Sequence, residues 1–263
     1  MTDNPDNLRN YESREVVSYY EKQTAIEPCE QLLFEKYVPP GSAILDMGVG
    51  AGRTTPALSG IASRYVGADY SSAMIDSCRA RFPGIEFQVC DATDMSGFGD
   101  GEFDAVVFSF NGIDVISTDE GRARCFSEAS RVLKDGGVFI FSSHNARLLA
   151  VPPDYRGGSP LQIVWRTIRA AGASIRIFLR GYRAGVFSSG RGYVRDPWDG
   201  GMLYFVSTPE VIRREAAAAG LALEETVGSR YPRIRSPWLS PWHYYACRKI
   251  GFSNENGDSL RRG

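Results

Sequence analysis

Short apolar runs alternate with mixed polar and apolar segments through the first half of this chain, a pattern typical of an α/β fold. Each run ends near a polar residue or a glycine, as a buried strand does where it leaves a sheet. The strands are predicted at 43–45, 65–68, 85–90, 103–110 and 138–143. Because parallel strands are joined by crossover helices, the alternation predicts a mostly parallel sheet with helices on both faces. The polar strand ends would then meet at one edge of the sheet, where such sheets bind ligands.

Capping residues place further elements before and after this half of the chain. Thr208 as an N-cap, Pro209 at the first helical position and Gly220 after the end predict a helix over 208–219. Two more helices are predicted before the first strand, and two more strands after the 208–219 helix. These helices are expected around 12–22 and 28–37, and the strands near 221–228 and 243–249.

Three alternating glycines follow the first predicted strand. Asp46 ends the strand, and Gly48, Gly50 and Gly52 come after it. Glycines allow positive φ in a sharp turn into a helix, and they let a ligand approach the backbone closely. A dinucleotide-binding loop would need its third glycine at position 53, where this chain has Arg53. The turn is therefore interpreted as a nucleotide loop of another type, with a simple turn acid as the alternative role of Asp46.

Acidic residues also follow the second and third predicted strands. Asp69 lies 23 residues beyond Asp46, close to the ~20-residue offset of the ribose-binding acid in βαβ units. A carboxylate suits that role because it accepts hydrogen bonds from both vicinal ribose hydroxyls. The alternative for Asp69 is a partner for the helix that Ser71 caps. The alternative for Asp91, after the third strand, is ordinary turn chemistry.

These motifs together resemble class I S-adenosylmethionine (SAM)-dependent methyltransferases. The matching segments are Asp-x-Gly-x-Gly-x-Gly at 46–52, Val-Gly-Ala-Asp-Tyr-Ser-Ser-Ala-Met at 66–74, Cys-Asp-Ala at 90–92 and Leu-Lys-Asp-Gly-Gly at 133–137. The resemblance covers roughly residues 38–145, is weaker over 206–250 and does not cover the segment between them. It implies SAM as the cofactor and a Rossmann-like, seven-stranded, mostly parallel sheet closed by an antiparallel C-terminal hairpin.

The resemblance also implies which residues hold the cofactor. In this family the acid at the position of Asp91 binds the adenine amino group, and the next backbone amide, here that of Ala92, contacts the ring. Asn111 is expected to hold either the acceptor or the methionine end of the cofactor. The cofactor-binding residues expected in this way are Tyr20, Asp46, Gly48, Gly50, Gly52, Asp69, Tyr70, Met74, Asp91, Ala92, Phe110 and Asn111.

Two of these expectations compete with core packing. In this family the helix that carries Tyr19 and Tyr20 often covers the cofactor, so either hydroxyl is a candidate partner for its carboxylate; packing of the rings is the equal alternative. Met74 fits a helical core stripe with Ala73 and Cys78, and packing is the favoured role for its flexible thioether.

The predicted elements divide the chain into five segments. An N-terminal helical cap is followed by a SAM-binding core, a helical insert that forms a substrate or lid region, the remainder of the core and a polar tail. The boundaries are placed at 1–37, 38–145, 146–205, 206–250 and 251–263.

Bulk composition narrows the class of protein. The chain has 263 residues and a net charge of −1, which argues against a nucleic acid partner. Its five cysteines are scattered and form no Cys-x-x-Cys pair, so neither a disulfide framework nor a metal site is indicated. The N-terminus has neither the basic nor the apolar region of a signal peptide. No apolar run approaches the ~20 residues of a transmembrane span, and a cytoplasmic protein is expected.

The insert is strongly basic, whereas part of the core is strongly acidic. Residues 147–195 contain nine arginines, no lysine and one acid, whereas 86–120 contain nine acids and no base. At helical spacing over 161–183, the arginines fall on one side and the large apolar residues on the other, which predicts an amphipathic helix with a break near Gly172. Three roles stay open for Arg176 and Arg180: a solvated lid face, recognition of an anionic substrate, and peripheral contact with an anionic membrane.

Residues near the end of the fifth strand are candidates for the methyl acceptor site. His144 is the candidate general base, with structural hydrogen bonding as the alternative. Asn145 and Trp198, the latter in a turn that would wall a pocket, are candidate substrate-binding residues. Nucleic acid amino-methyltransferases carry an Asn/Asp-Pro-Pro-aromatic motif after the fourth strand, and the chain has Ser-Phe-Asn-Gly at 109–112 instead. We therefore expect a small-molecule O- or N-methyltransferase, and an anionic acceptor is compatible with the arginines of the insert.

Two other classes of protein remain as alternatives. A nicotinamide-dependent oxidoreductase shares the βαβ architecture, although the third glycine of its fingerprint is missing here. A non-catalytic protein of the same fold that docks through its basic helix is the second alternative, and the intact cofactor motifs argue against it.

Overall fold

A computed structural model describes residues 5–149, 159–195 and 202–251 of the chain. They form a single mixed sheet with helices on both faces, which confirms the predicted fold class. The helices are α1 Pro5–Tyr11, α2 Arg14–Glu21, α3 Pro28–Tyr37, α4 Thr55–Ser59, α5 Ser72–Arg81, α6 Asp119–Val132, α7 Pro160–Arg183, α8 Val186–Ser189 and α9 Pro209–Ala218. The strands are β1 Ala43–Met47, β2 Arg64–Asp69, β3 Glu86–Val89, β4 Phe103–Phe108, β5 Leu133–Asn145, β6 Arg191–Arg195, β7 Leu203–Ser207, β8 Leu221–Gly228 and β9 Trp242–Lys249. Short 3-10 helices occupy Gly112–Val115 and Pro237–Leu239.

Seven of the strands have the arrangement that the sequence predicted. Strands β3, β2, β1, β4 and β5 lie side by side in that order and are all parallel. Strand β9 pairs antiparallel with β5, and β8 pairs antiparallel with β9. The last two strands therefore form the antiparallel hairpin that closes the parallel sheet.

The insert adds two strands that the sequence did not predict, so the described part of the sheet has nine. Strand β7 pairs parallel with the last two residues of β5, and β6 pairs antiparallel with β7. His144 pairs with Val206 of β7 and also with Trp242 of β9. Because a strand has only two edges, β7 must occupy the edge that β4 leaves free after Phe141, the last residue of β5 with a partner in β4. Strands β6 and β7 thus extend the sheet beyond the carboxyl end of β4.

Two cores lie on the two faces of the sheet. Alternate residues of one strand enter different cores: Leu45 lies in the first and Ile44 in the second. Helices α6 and α9 cover the first core with Phe126 and Ile212, and α3 and α5 cover the second with Leu33 and Ile75. Burial on both faces explains why the strands appear as continuous apolar runs rather than as alternating ones.

The insert contains one long helix with an unexpected orientation. Helix α7 runs unbroken for 24 residues from a capping box of Ser159 and Gln162, and Gly172 does not interrupt it. Only four of its residues are buried, and three of them are small: Ala170, Ala173, Ile177 and Gly181. The large apolar residues of the predicted amphipathic pattern are exposed to solvent instead. Among the described residues, no helix is long and apolar enough to cross a membrane.

Candidate cofactor and acceptor site

The turn between β1 and α4 forms the floor of the site. Gly48 and Gly50 both have positive φ, 63° and 55°, a conformation that glycine adopts without strain. A Cβ on Gly48 would collide with the ring of Phe108. The amide of Gly50 donates to Asp69 Oδ2 at 2.9 Å, which ties the loop to the end of β2.

A cavity opens above this loop, at the carboxyl ends of the parallel strands. Its wall joins the glycine loop to the ends of β2, β3 and β4 and to helices α1 and α2. The lining contains nine of the twelve predicted cofactor-binding residues: Tyr20, Gly48, Gly50, Asp69, Tyr70, Met74, Asp91, Ala92 and Phe110. The structure therefore brings together residues that are up to 90 positions apart in the chain.

Asp69 is buried at the base of this cavity and is 6% exposed. Its two carboxyl oxygens accept hydrogen bonds from the amides of Gly50 and Ser71, each at 2.9 Å. Burial raises the pKa of Asp69 to about 6, and the backbone hydrogen bonds only partly offset that rise. Each oxygen keeps a second lone pair, so the side chain can bind the helix terminus and a ribose at the same time. The two roles that the sequence left open are compatible.

Asp91 and Ala92 lie at the end of β3, on the same wall. Asp91 Oδ1 accepts from both the amide and the hydroxyl of Thr93 at 2.9 Å, which is the turn role that the sequence offered as an alternative. Asp91 also lines the cavity together with Ala92, which is 8% exposed. The geometry leaves Asp91 available to an adenine amino group, and that role remains a prediction.

Replacing Asp69 with alanine should weaken binding of S-adenosylhomocysteine (SAH) by more than about 1.4 kcal/mol, a tenfold loss in affinity. The physical reason is the loss of a buried acceptor for the ribose hydroxyls. Asp76→Ala, which removes an exposed carboxylate from α5, should leave the affinity unchanged. Isothermal titration calorimetry measures both, and equal affinities for the two variants would remove Asp69 from the ribose role.

SAH binding should also weaken as the pH falls below about 6. The pKa of Asp69 in the unliganded protein is raised to about 6, and ribose hydroxyls favour the ionised carboxylate, so at lower pH the ligand must displace a proton. Because the pKa of Asp69 is higher in the folded protein than in the unfolded chain, protonation of Asp69 stabilises the folded state. Unfolding caused by protonation of Asp69 therefore does not explain a loss of SAH binding at low pH. Asp46, whose burial raises its pKa to about 6, titrates in the same range. Asp69→Asn should flatten the profile if Asp69 is responsible, and an unchanged profile in that variant would contradict the assignment.

Asp46 and Gly52 support the loop from behind rather than lining the main cavity. Asp46 Oδ2 accepts from the hydroxyls of Thr54 at 2.5 Å and Tyr65 at 2.7 Å. Asp46 faces a smaller recess beside the cavity. Gly52 has a φ of 86°, and a Cβ there would collide with Phe82. Both residues therefore fix the loop's shape.

Tyrosine rings from α1 and α2 form the roof. Tyr11 lies between Tyr20 and Tyr70, with ring centroids 6.0 and 5.8 Å away. Tyr70 and Ser117 line the cavity, and their hydroxyls are buried without a hydrogen-bond partner among the described residues. Buried hydroxyls are rarely left unpaired, so these two are suited to hydrogen bonds with a bound molecule. The sequence did not predict α1, which brings Asn7 and Tyr11 to the lining.

Arg53 has a structural role that explains why this loop lacks the third glycine of a dinucleotide fingerprint. Its guanidinium pairs with both carboxyl oxygens of Glu30 on α3, at 2.5 and 2.6 Å. Glu30 is fully buried and also accepts from the amide of Glu27 at 2.8 Å and from the hydroxyl of Ser109. Burial alone would lower the pKa of Arg53, but the bonds to Glu30 raise it. The pair joins the glycine loop, α3 and the end of β4.

His144 lies beside the cavity, at the carboxyl end of β5. Its Nδ1 is 2.7 Å from Asp114 Oδ2, and its side chain is 29% exposed. A carboxylate only accepts hydrogen bonds, so Nδ1 is the donor in this contact. Nε2 faces the carboxamide of Asn111, with 3.5 Å between the two nitrogen atoms. Asn111 follows Phe110 and precedes Gly112, which both line the cavity, whereas Asn111 and His144 are not in the lining.

Asp114 is a site residue that sequence reasoning missed. It is fully buried on the 3-10 helix after β4 and accepts from the Ser143 hydroxyl and the His144 amide, each at 2.7 Å. Arg122, also fully buried, lies 3.6 Å from it and pairs with Glu215 at 2.9 Å. The only sequence signal was an acid within three residues of Asn111, and the register that brings it to His144 is set by the fold.

Three of the predicted substrate-binding residues, Asn145, Arg176 and Arg180, do not line the cavity. Asn145 is fully buried, and its carboxamide donates to the carbonyl of Ser240 at 2.9 Å and accepts from the amide of Arg147 at 2.9 Å. These bonds give it a structural role between the end of β5 and the loop before β9. Arg176 and Arg180 are exposed on α7, and Trp198 lies outside the described residues.

No metal centre accompanies this site in the part of the chain that the structure describes. No group of three His, Cys, Asp or Glu side chains is arranged there to hold a metal ion. The cysteine thiols are buried or half-buried, and burial raises the pKa of the Cys90 thiol on the cavity wall to about 11.

Comparison with known proteins agrees with this geometry. Residues 44–137 match the family model described as a methyltransferase domain. A demethylmenaquinone methyltransferase from Clavibacter sepedonicus is 39% identical over 103 residues, which are 38% of this chain and 40% of that protein. A probable tRNA methyltransferase 9B from Bos taurus is 37% identical over 101 residues, 38% of this chain and 21% of that protein. The chain thus spans less than half the length of these two curated relatives.

Solved structures extend the likeness of the fold to nearly the whole chain. The 1,6-didemethyltoxoflavin-N1-methyltransferase of Burkholderia thailandensis, solved with its substrate and SAH, has a TM-score of 0.60 and 14% identity. It covers 94% of this chain and 86% of its own. The cavity fits the adenosyl cofactor through the buried acid Asp69, the glycine loop and two unpartnered hydroxyls. Residues 44–137 form a methyltransferase domain whose cofactor is S-adenosylmethionine.

Proposed function

We propose that this protein transfers the methyl group of SAM to an oxygen or nitrogen atom of a small molecule. The observation that carries the proposal is the Asp114–His144 pair beside the cofactor cavity, with Nδ1 of His144 2.7 Å from Asp114. A histidine held in one tautomer by a buried carboxylate suits removal of a proton from a hydroxyl or amine. An acceptor that loses a proton during transfer is therefore favoured over one that does not.

The chain's own residues divide the work of such a transfer. Bound SAM supplies an electrophilic methyl group on its sulfonium. The glycine loop, Asp69 and Asp91 would orient the cofactor, and the tyrosine roof would exclude water. Nε2 of His144 would take the acceptor's proton while Asp114 stabilises the resulting charge on the imidazole. Alignment of the reacting groups in this way can supply about 7–11 kcal/mol of the rate enhancement.

The acceptor is proposed to be neutral rather than anionic. The lining of the cavity among the described residues contains two carboxylates, Asp69 and Asp91, and no arginine or lysine. The arginines Arg176 and Arg180, which suggested an anionic substrate, lie on the exposed surface of α7. The same lining, with the chain's net charge of −1, favours a small molecule over a nucleic acid.

Thermal unfolding with SAH, and separately with NADH, tests the proposal against the two alternatives. SAH at 100 times its dissociation constant adds about 2.7 kcal/mol of stability, which corresponds to a rise in Tm of roughly 5–11 °C for a chain near this size. We expect that rise with SAH and none with NADH. A rise with NADH alone would favour the oxidoreductase. A separate assay measures SAH formation from SAM with a panel of neutral and acidic phenols, alcohols, amines and tRNA. If the protein binds SAH but forms none with any member of the panel, the non-catalytic alternative is favoured.

A further inference from the structure

Helix α7 has an exposed apolar face that the fold leaves uncovered among the described residues. The helix packs on the body through its small residues and Ile177, which lies in one buried cluster with Val186, Val194 and Val206 of α8, β6 and β7. The opposite side presents large side chains that are 46–78% exposed. We call this surface the apolar face of α7, and its residues are Leu161, Val164, Trp165, Ile168, Ile175, Phe178, Leu179 and Tyr182.

Arginines border this face along one side. At about 100° per residue, Arg169, Arg176, Arg180 and Arg183 fall within an arc of roughly 60° next to Trp165. All four are exposed. Residues 159–195 contain seven arginines and no lysine, aspartate or glutamate. The surface of α7 therefore combines a contiguous apolar stripe with a border that carries only positive charge.

We propose that α7 docks this protein on an anionic lipid bilayer, with the helix lying in the plane of the interface. An interfacial helix of this kind has a wide apolar side rich in large side chains and a polar side rich in Lys or Arg. Trp165 and Tyr182 stand toward opposite ends of the face, and such aromatic residues favour the headgroup level. The long arginine side chains can reach phosphate groups while their stems stay on apolar surface.

Charge complementarity selects a bilayer over a second copy of the chain. An isologous interface brings the same patch of each copy together, so both copies would add Arg176 and Arg183 to the interface. No carboxylate among the described residues pairs with either arginine, and none exists in 159–195 to separate them. An RNA partner would use the arginines but would leave the apolar face in water.

Vesicle flotation of the full chain tests this proposal. Two vesicle types serve as probes: phosphatidylcholine alone, and phosphatidylcholine mixed with an equal amount of phosphatidylglycerol. We expect the protein to float with the mixed vesicles, to bind neutral vesicles at least tenfold more weakly, and to be released by salt because the charges are exposed. A blue shift of Trp165 fluorescence on the mixed vesicles, obtained by difference from Trp165→Phe, is the second readout.

Two double variants separate the apolar and electrostatic contributions. Ile168→Asp with Ile175→Asp, and Arg176→Glu with Arg183→Glu, should each reduce binding to mixed vesicles at least tenfold. Arg213→Glu with Arg214→Glu makes the same charge change at exposed positions of α9 and should bind like the wild type. SAH-induced thermal stabilisation, retained in all three, shows that each is folded and that the cofactor site is independent of docking.

Three outcomes would overturn the proposal. The first is no binding to either vesicle type, and the second is equal binding to both. The third is a dimer in solution that Ile168→Asp with Ile175→Asp dissociates, or binding of RNA, in the absence of vesicle binding. None of these results bears on SAH binding, so the methyltransferase proposal stands or fails separately.

Discussion

Replacing His144 with glutamine should lower kcat for methyl transfer by about 10²–10⁴-fold, the usual contribution of a general base, equivalent to roughly 2.7–5.5 kcal/mol of barrier. The affinity for SAH should not change, because His144 does not line the cofactor cavity. The measurement is the rate of SAH formation with an acceptor from the panel, alongside calorimetry with SAH. A fall in kcat with constant SAH affinity separates loss of a base from loss of the site.

The buried partner of His144 makes the prediction sharper. Asp114→Asn keeps the size of the side chain but removes the carboxylate that holds Nδ1 protonated, so kcat should fall at least tenfold while KM changes little. Asp119→Asn removes an exposed carboxylate only five residues away, where Asp119 pairs with Arg191 at the surface, and kcat should stay at the wild-type value. If His144→Gln retains full kcat, the histidine is a structural hydrogen-bonding residue and the acceptor needs no base.

The second large effect concerns stability. Replacing Glu30 with glutamine should lower the free energy of unfolding by about 3–5 kcal/mol, because it leaves the guanidinium of Arg53 buried without its counter-charge. The side chain of Glu30 is 0% exposed and that of Arg53 is 10% exposed, so solvent screens the pair little. Urea denaturation with linear extrapolation measures the change.

A matched pair at the surface gives the control for this prediction. Asp76 and Arg79 are 3.4 Å apart on α5 and more than half exposed, and Asp76→Asn should cost less than about 1 kcal/mol. The double variant Glu30→Gln with Arg53→Met removes both charges and should recover part of the loss, which a double-mutant cycle would report as coupling. A loss below 1 kcal/mol in Glu30→Gln would show that water reaches the pair and that it does not hold the loop.

The local patterns of the chain were enough for most of the core. The helix predicted over 208–219 is α9, and the strands predicted near 221–228 and 243–249 are β8 and β9, because capping residues and strand-length apolar runs are encoded locally. The cofactor, the methyltransferase domain over residues 44–137 and the mostly parallel sheet are confirmed as well. Nine of the predicted cofactor-binding residues share one cavity, since carboxyl ends of parallel strands converge at one edge. Their individual contacts with SAM remain predictions.

The insert shows where periodicity stops being informative. A period of 3.6 correctly placed the apolar residues and the arginines of α7 on different sides, but it does not state which side meets the protein. The small residues Ala170, Ala173 and Gly181 pack on the body because they allow close approach, and the large residues remain outside. The hairpin of β6 and β7 was missed because its strands are five residues each and their pairing depends on the free edge of β5.

The sequence by itself determined the order of the strands and helices in the core, the glycine loop, the acids at the strand ends and hence the methyltransferase domain. Only the tertiary structure decided the pairs that act together. Asp114 meets His144 across 30 positions and Glu30 meets Arg53 across 23. Local motifs depend on short-range backbone geometry, which residue type and spacing record directly. Pairs between elements depend on strand register and helix packing, which arise from the whole core and are visible only once it is folded.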